Sequence, residues 1–119
     1  MINRGDIYLA DLNRMREHNV SKVRPVLIFQ NDFLNRTLED AIYSDVIIIP
    51  LSTKLLGGDY RLKISPRDAL EQHSEIICNA LCTINAGLLK TEDGPIAMLE
   101  QKEIRAIERI LADLFGFSF

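Results

Sequence analysis

Between Leu12 and Gln30 the chain carries four basic side chains, Arg14, Arg16, Lys22 and Arg24, against a single acid, Glu17. The last of them opens the stretch RPVLIFQND, in which a guanidinium runs into a proline and then four large apolar residues. A strongly hydrated cation at the mouth of a buried strand has two readings. It is a solvated strand end, or it is held on a rigid element to meet an anion, since its planar fork makes charge-assisted, often bidentate bonds to phosphate or carboxylate. His18 lies in the same basic segment and is the one side chain there suited to carrying a proton near neutral pH, although a lone loop histidine is often only solvated. Ser52 and Thr53 close the run VIIIPL. Their hydroxyls can donate to an anion or merely shape a turn. No Ser-His-Asp pattern surrounds them, so a nucleophilic serine is not expected.

Such side chains need stiff elements behind them, and the apolar pattern supplies them. DIYLAD over Asp6–Asp11 reads as a first strand, and Leu12–Val23, polar and without periodicity, as a long exposed loop. Pro25–Phe29 and Val46–Leu51 are short, largely β-branched or apolar runs that fit buried strands, with proline at a strand end or bulge. Asp32–Asp45 offers at most a helical turn and a loop. Gly57-Gly58 marks a turn, after which Tyr60, Leu62 and Ile64 alternate with Arg61 and Lys63, the pattern of a strand with one wet side. Glu75–Cys78 and Leu81–Ile84 add two short strands or one bent one, and Gly94–Met98 a small edge. From Glu100 the period changes: Ile104, Ile107, Ile110, Leu111 and Leu114 fall at helical spacing, acids occupy the first turn, and Gly116 stops the helix. The expected fold is mainly β (α+β), a small barrel of five to seven strands closed by a C-terminal α-helix, in a single domain over residues 1–119.

Composition narrows the classes. At 119 residues, 47% apolar and 26% charged, the chain is an ordinary globular one. No apolar run is long enough to span a bilayer, and Asp6 and Asp11 interrupt any secretory signal, so the cytoplasm is the expected location and no membrane contact is expected. Cys78 and Cys82 read as thiols packed among apolar residues; with His73 they match zinc spacings poorly, so no metal is expected. A net charge of −3 argues weakly against a nucleic-acid partner. The acids are concentrated in Glu39–Asp45, Asp68–Glu75 and Glu92–Asp93, however, which leaves room for a local positive face.

Taken in order, GDIY, RPVLIFQND, PLST, ALEQHSEIICNALCTINAGLL and the terminal helix resemble the MazF/PemK toxins of bacterial type II toxin–antitoxin pairs, from Arg4 to Leu114. RPV followed by QND is the most specific piece. The resemblance implies an SH3-like barrel assembled as a homodimer, held in check by a cognate antitoxin. It also implies metal-independent cleavage of single-stranded RNA, with no cofactor. The neighbouring 2′-hydroxyl would act as nucleophile and leave a 2′,3′-cyclic phosphate and a 5′-hydroxyl.

By the same resemblance Arg24 falls on the arginine at the scissile phosphate and Ser52 where many members have a catalytic threonine. His18 falls where some members carry a functional histidine, and Asp6 takes the place of an acid that helps organise the site. One departure stands out. Where several members have an Arg-Cys-Asp-type stretch and then Thr-Ile-Asp, this chain has Ile77, Cys78 and Asn79, then Thr83, Ile84 and Asn85. Asn79 can hold a hydroxyl or a base edge but takes up no proton.

RNA cleavage without a metal needs a base for the 2′-hydroxyl, a cation for the crowded phosphorane and an acid for the departing oxygen. Arg24 suits the second task, Ser52 adds a donor, and His18 is the proton carrier at hand. Arg14, Arg16 and Lys22 would grip the RNA backbone, with Asp6, Thr53, Lys54 and Asn79 completing the contact surface. Aromatic residues total only 7%, so base reading would rest on hydrogen bonds to unstacked base edges. A rival reading is a CcdB-like gyrase poison of the same fold, to which IIIPLSTKLL and the tail LFGFSF are similar in style. Another is a degenerate member that only binds RNA or an antitoxin.

Overall fold

The computed structural model describes residues 2–12, 22–38 and 44–118. Among the described residues eight antiparallel strands form one strongly curved sheet: β1 (Asp6–Asp11), β2 (Val23–Ile28), β3 (Asp45–Ser52), β4 (Arg61–Ile64), β5 (Ser74–Ile77), β6 (Cys82–Asn85), β7 (Leu89–Lys90) and β8 (Ala97–Met98). The order across the sheet is β4-β5-β3-β2-β1-β7, with β6 also on β3 and β8 also on β1. A short helix α1 (Asp32–Thr37) follows β2, and α2 (Gln101–Phe115) ends the chain. Two-residue β7 and β8 take the strand number past the seven expected. β8 falls within the edge foreseen at Gly94–Met98, whereas Leu89–Lys90 is too short to show a period.

The alternation of side chains explains why VIIIPL is apolar throughout. On one face Ile49 and Leu51 join Ile7, Leu27, Ile64 and Ile76 against Ile107 and Leu111 of α2. On the other, Val46 and Ile48 join Tyr8, Ala10, Val26, Ile28, Ile84 and Leu89. β3 is thus buried on both sides, and a two-residue period leaves no polar position between. Pro50 sits where β3 exchanges partners. It faces Val26 of β2, and the next residues, Leu51 and Ser52, pair with Ile76 and Glu75 of β5. A residue without an N–H is tolerated at that break in the ladder.

The terminal helix begins with a reciprocal capping box between Glu100 and Glu103 and ends at Gly116, whose φ of 76° places it in the left-handed region. Glu103 also meets Arg67 through a two-pronged ion pair, one arm 2.8 Å long, which ties the helix to the β4–β5 connection. Burial pushes the Glu103 carboxyl up, but the bonds from Arg67 and the Glu100 N–H outweigh it and hold it below the ordinary value of 4.5. A carboxyl lowered by folding adds stability above its unfolded pKa and loses it as pH falls through the folded one. Glu103→Gln is therefore expected to be less stable than the parent at neutral pH, with the gap closing below pH 4.5 in urea melts at stepped pH.

Candidate functional site

Arg24 is brought to the site by register. In β2 it pairs with Ala10 of β1, and Val26, two residues on, pairs with both Tyr8 and Pro50. The β2–β3 ladder ends at Val26–Pro50. One step further along the same face, about 7 Å, come Arg24 on β2 and Ser52 on β3. Both belong to the sheet face opposite α2 and lie at its rim, half-buried. By strand alternation both positions fall on the face of Val26 and Pro50, one step beyond the last β2–β3 pair.

Four arginines are half-buried among the described residues. Arg4 is paired with Glu108 at 3.0 Å, Arg61 with Glu75 at 3.0 Å and Arg67 with Glu103. Arg24 is the fourth, and among the described residues its guanidinium has no hydrogen-bond or ion-pair partner. Partial burial with no ion-pair partner among the described residues strengthens the field such a cation presents to an arriving anion. The Ser52 hydroxyl oxygen accepts the Lys54 N–H at 3.1 Å, which restrains the side chain and leaves its own proton to donate. Thr53 and Lys54 follow on the exposed turn. A guanidinium and a hydroxyl on one rim have the donor chemistry of a phosphate site.

Next to this strip lies a clasp centred on Glu75, the last of the acids concentrated in Asp68–Glu75 and the first residue of a strand expected at Glu75–Cys78. Glu75 is 4% exposed and stands directly across from Ser52 on β5. Its carboxylate accepts the Leu56 N–H at 2.9 Å, the Gly57 N–H at 3.0 Å and the Arg61 guanidinium at 3.0 Å. Arg61 also donates to the Lys54 carbonyl at 3.3 Å. Burial pushes the Glu75 carboxyl up, yet the Arg61 and backbone bonds prevail and hold it below the ordinary value. The available signal was an acid inside the apolar strand SEII, matched by an arginine at the start of β4.

The other expected site residues fall elsewhere. Asp6 is on the same face of β1 as Ala10 but four residues away, about 13 Å along the strand from the Arg24 row. It is 5% exposed and accepts the Asn3 N–H at 3.0 Å and the Tyr8 hydroxyl at 3.5 Å. Burial is the main reason its carboxyl is raised. Asp6 organises the chain's entry into β1 and does not join the Arg24 strip. Asn79 is exposed on the 3-10 turn Cys78–Ala80 between β5 and β6. The Lys22 carbonyl accepts the Leu12 N–H at 3.0 Å, so the long β1–β2 connection leaves and re-enters the sheet at this end of β2, beside Arg24. His18, Arg14 and Arg16 belong to that connection and lie outside the described residues. Both cysteines pack among apolar residues: Cys78 is buried, and burial pushes its thiol up to about 11, while Cys82 is half-buried against the second core cluster.

Comparison with known proteins gives a consistent picture. Residues 3–115 match the family described as the PemK-like, MazF-like toxin of type II toxin–antitoxin systems. A protein of Staphylococcus epidermidis named Endoribonuclease MazF is 43% identical over 99% of this chain and 94% of its own length. Among solved structures, the Mycobacterium tuberculosis toxin MazF-mt6 superposes with a TM-score of 0.75 at 21% identity, covering 96% of this chain and 99% of its own. A mycobacterial endoribonuclease in complex with its cognate antitoxin gives 0.75 at 20% identity, over 100% and 99% of the two chains. At these identities the structural matches speak for the fold alone.

Proposed function

From the premise that this chain belongs to the PemK-like, MazF-like toxins of type II toxin–antitoxin systems, we propose that it is an endoribonuclease that cuts single-stranded RNA without a metal at the Arg24–Ser52 strip. The observation that carries the reading is the half-buried Arg24 guanidinium, which has no partner among the described residues and shares a rim with the Ser52 hydroxyl. A phosphodiester seated there has its non-bridging oxygens facing the arginine fork and the serine donor. The 2′-hydroxyl gives up its proton as its oxygen attacks phosphorus, the bond to the 5′-oxygen breaks as that oxygen takes up a proton, and the products carry a 2′,3′-cyclic phosphate and a 5′-hydroxyl. Charge accumulates on the non-bridging oxygens in the phosphorane, where preorganised donors contribute most. His18 is the proton carrier in this scheme. Arg14, Arg16 and Lys22 grip flanking phosphates, and Thr53, Lys54 and Asn79 line the path of the strand. Asp6 is left out, since its carboxylate is buried and engaged at the far end of β1.

The solved relative with a bound cognate antitoxin and the family description support an antitoxin partner for this chain as well. The working form is taken to be a homodimer of single 119-residue domains in the cytoplasm. No helix among the described residues is long and apolar enough to cross a membrane. Incubating the purified protein with single-stranded RNA in excess chelator tests the activity. Fragments are expected. Intact RNA would overturn the reading, and intact RNA together with trapped gyrase–DNA complexes would replace it by the gyrase poison.

A further inference from the structure

We propose that Glu75 is a positioning residue for RNA cleavage, holding the segment from Ser52 to Gly57 so that the Ser52 donor stays aligned with Arg24. This rests on the proposed function above.

The geometry converges on that segment from one carboxylate. Glu75 stands across the ladder from Ser52, with side chains of such a pair about 5 Å apart at Cβ. Its oxygens take up the N–H groups of Leu56 and Gly57, and its partner Arg61 takes up the carbonyl of Lys54. The Lys54 N–H in turn bonds the Ser52 oxygen. The turn that leaves β3 is thereby tied back to β5 and β4 at Lys54, Leu56 and Gly57. Without the clasp, Leu55 and Leu56, 46% and 71% exposed, offer little packing to hold it.

The charge is arranged to suit this task. A bare carboxylate beside an anion site would repel phosphate. Here three donors converge on it and Arg61 neutralises it. This gives the inference a distinguishing sign. If Glu75 acted only through charge, Glu75→Gln would tighten RNA binding and leave kcat alone. A positioning role predicts a fall in kcat of roughly 10- to 100-fold with KM little changed, because misplacing a group by about 1 Å can cost that much.

The test is a double-substitution cycle on an RNA substrate with the full chain. Glu75→Gln is expected to lower kcat in the parent but to change it less than about twofold when Ser52 is already alanine. Glu103→Gln, which breaks another half-buried ion pair remote from the strip, is expected to lower the melting temperature without lowering kcat. Equal losses from Glu75→Gln in both backgrounds, or an unchanged kcat in the parent, would overturn the inference. If Glu75→Gln does not fold, Arg61→Lys asks the same question by removing the bond to the Lys54 carbonyl, with the same two outcomes. Failure of the parent to cut RNA would instead sink the proposed function, so the two failures are separable.

Discussion

Arg24→Ala is expected to lower the rate of RNA cleavage by roughly 100- to 1000-fold, the loss typical of one preorganised donor to transition-state charge. The same substitution should shift folding stability by no more than about 1 kcal/mol, because no ion pair or hydrogen bond among the described residues is broken. Activity and stability therefore separate at this position. The other half-buried arginines behave differently: removing Arg61 or Arg67 strands the carboxylate of Glu75 or Glu103. Arg24→Lys keeps the charge but loses the fork and should recover only part of the rate. Rates on a defined oligonucleotide, with melting temperatures measured on the same preparations, check both halves. A variant that melts early and cuts normally would place Arg24 in the scaffold.

Ile107→Ala is expected to have the largest effect on stability. Ile107 is fully buried in the middle of α2, against the sheet face built from Ile7, Leu27, Ile49 and Ile76. Truncating such a side chain removes its transfer free energy and leaves a cavity the sheet cannot fill, a loss of about 2–5 kcal/mol. Domains of this size have about 5–15 kcal/mol in all, so the melting temperature should fall by roughly 10–20 °C. Because the Arg24 strip lies on the opposite face of the sheet, the residual folded population should cut RNA at the parent rate at low temperature. Urea titration read beside single-turnover cleavage tests this. A stable but inactive Ile107→Ala would show that α2 takes part in the site.

Much of this architecture was legible in the sequence because burial imposes a period. The stripe from Ile104 to Leu114 predicted α2, and Gly116 marked its end. VIIIPL predicted a central strand, and Pro50 its break. Pro25–Phe29 was read as a strand beginning at the proline, whereas β2 begins at Val23. That difference matters, for it makes Arg24 a paired strand residue and so gives it a fixed direction. The Val26–Pro50 pairing that sets its row relative to Ser52 was not legible, since register between strands separated by a long connection depends on the whole sheet. Glu75 was hidden for another reason: its strand was foreseen, but only the fold shows Arg61 and two backbone N–H groups closing on it. Asp6 is the converse case. Only the family resemblance pointed to it, and the fold shows what the sequence could not, its bonds from Asn3 and Tyr8.

The central claim is that Arg24 and Ser52 act on a phosphate whose own ribose supplies the nucleophile. The most direct measurement uses an RNA oligonucleotide carrying one 2′-deoxy sugar immediately 5′ of the scissile bond, compared with the all-ribose strand in excess chelator. The all-ribose strand is expected to yield 2′,3′-cyclic phosphate and 5′-hydroxyl ends, and the substituted strand to stay whole at that position. Cleavage of the substituted strand at the same bond, or products ending in 5′-phosphate, would contradict it.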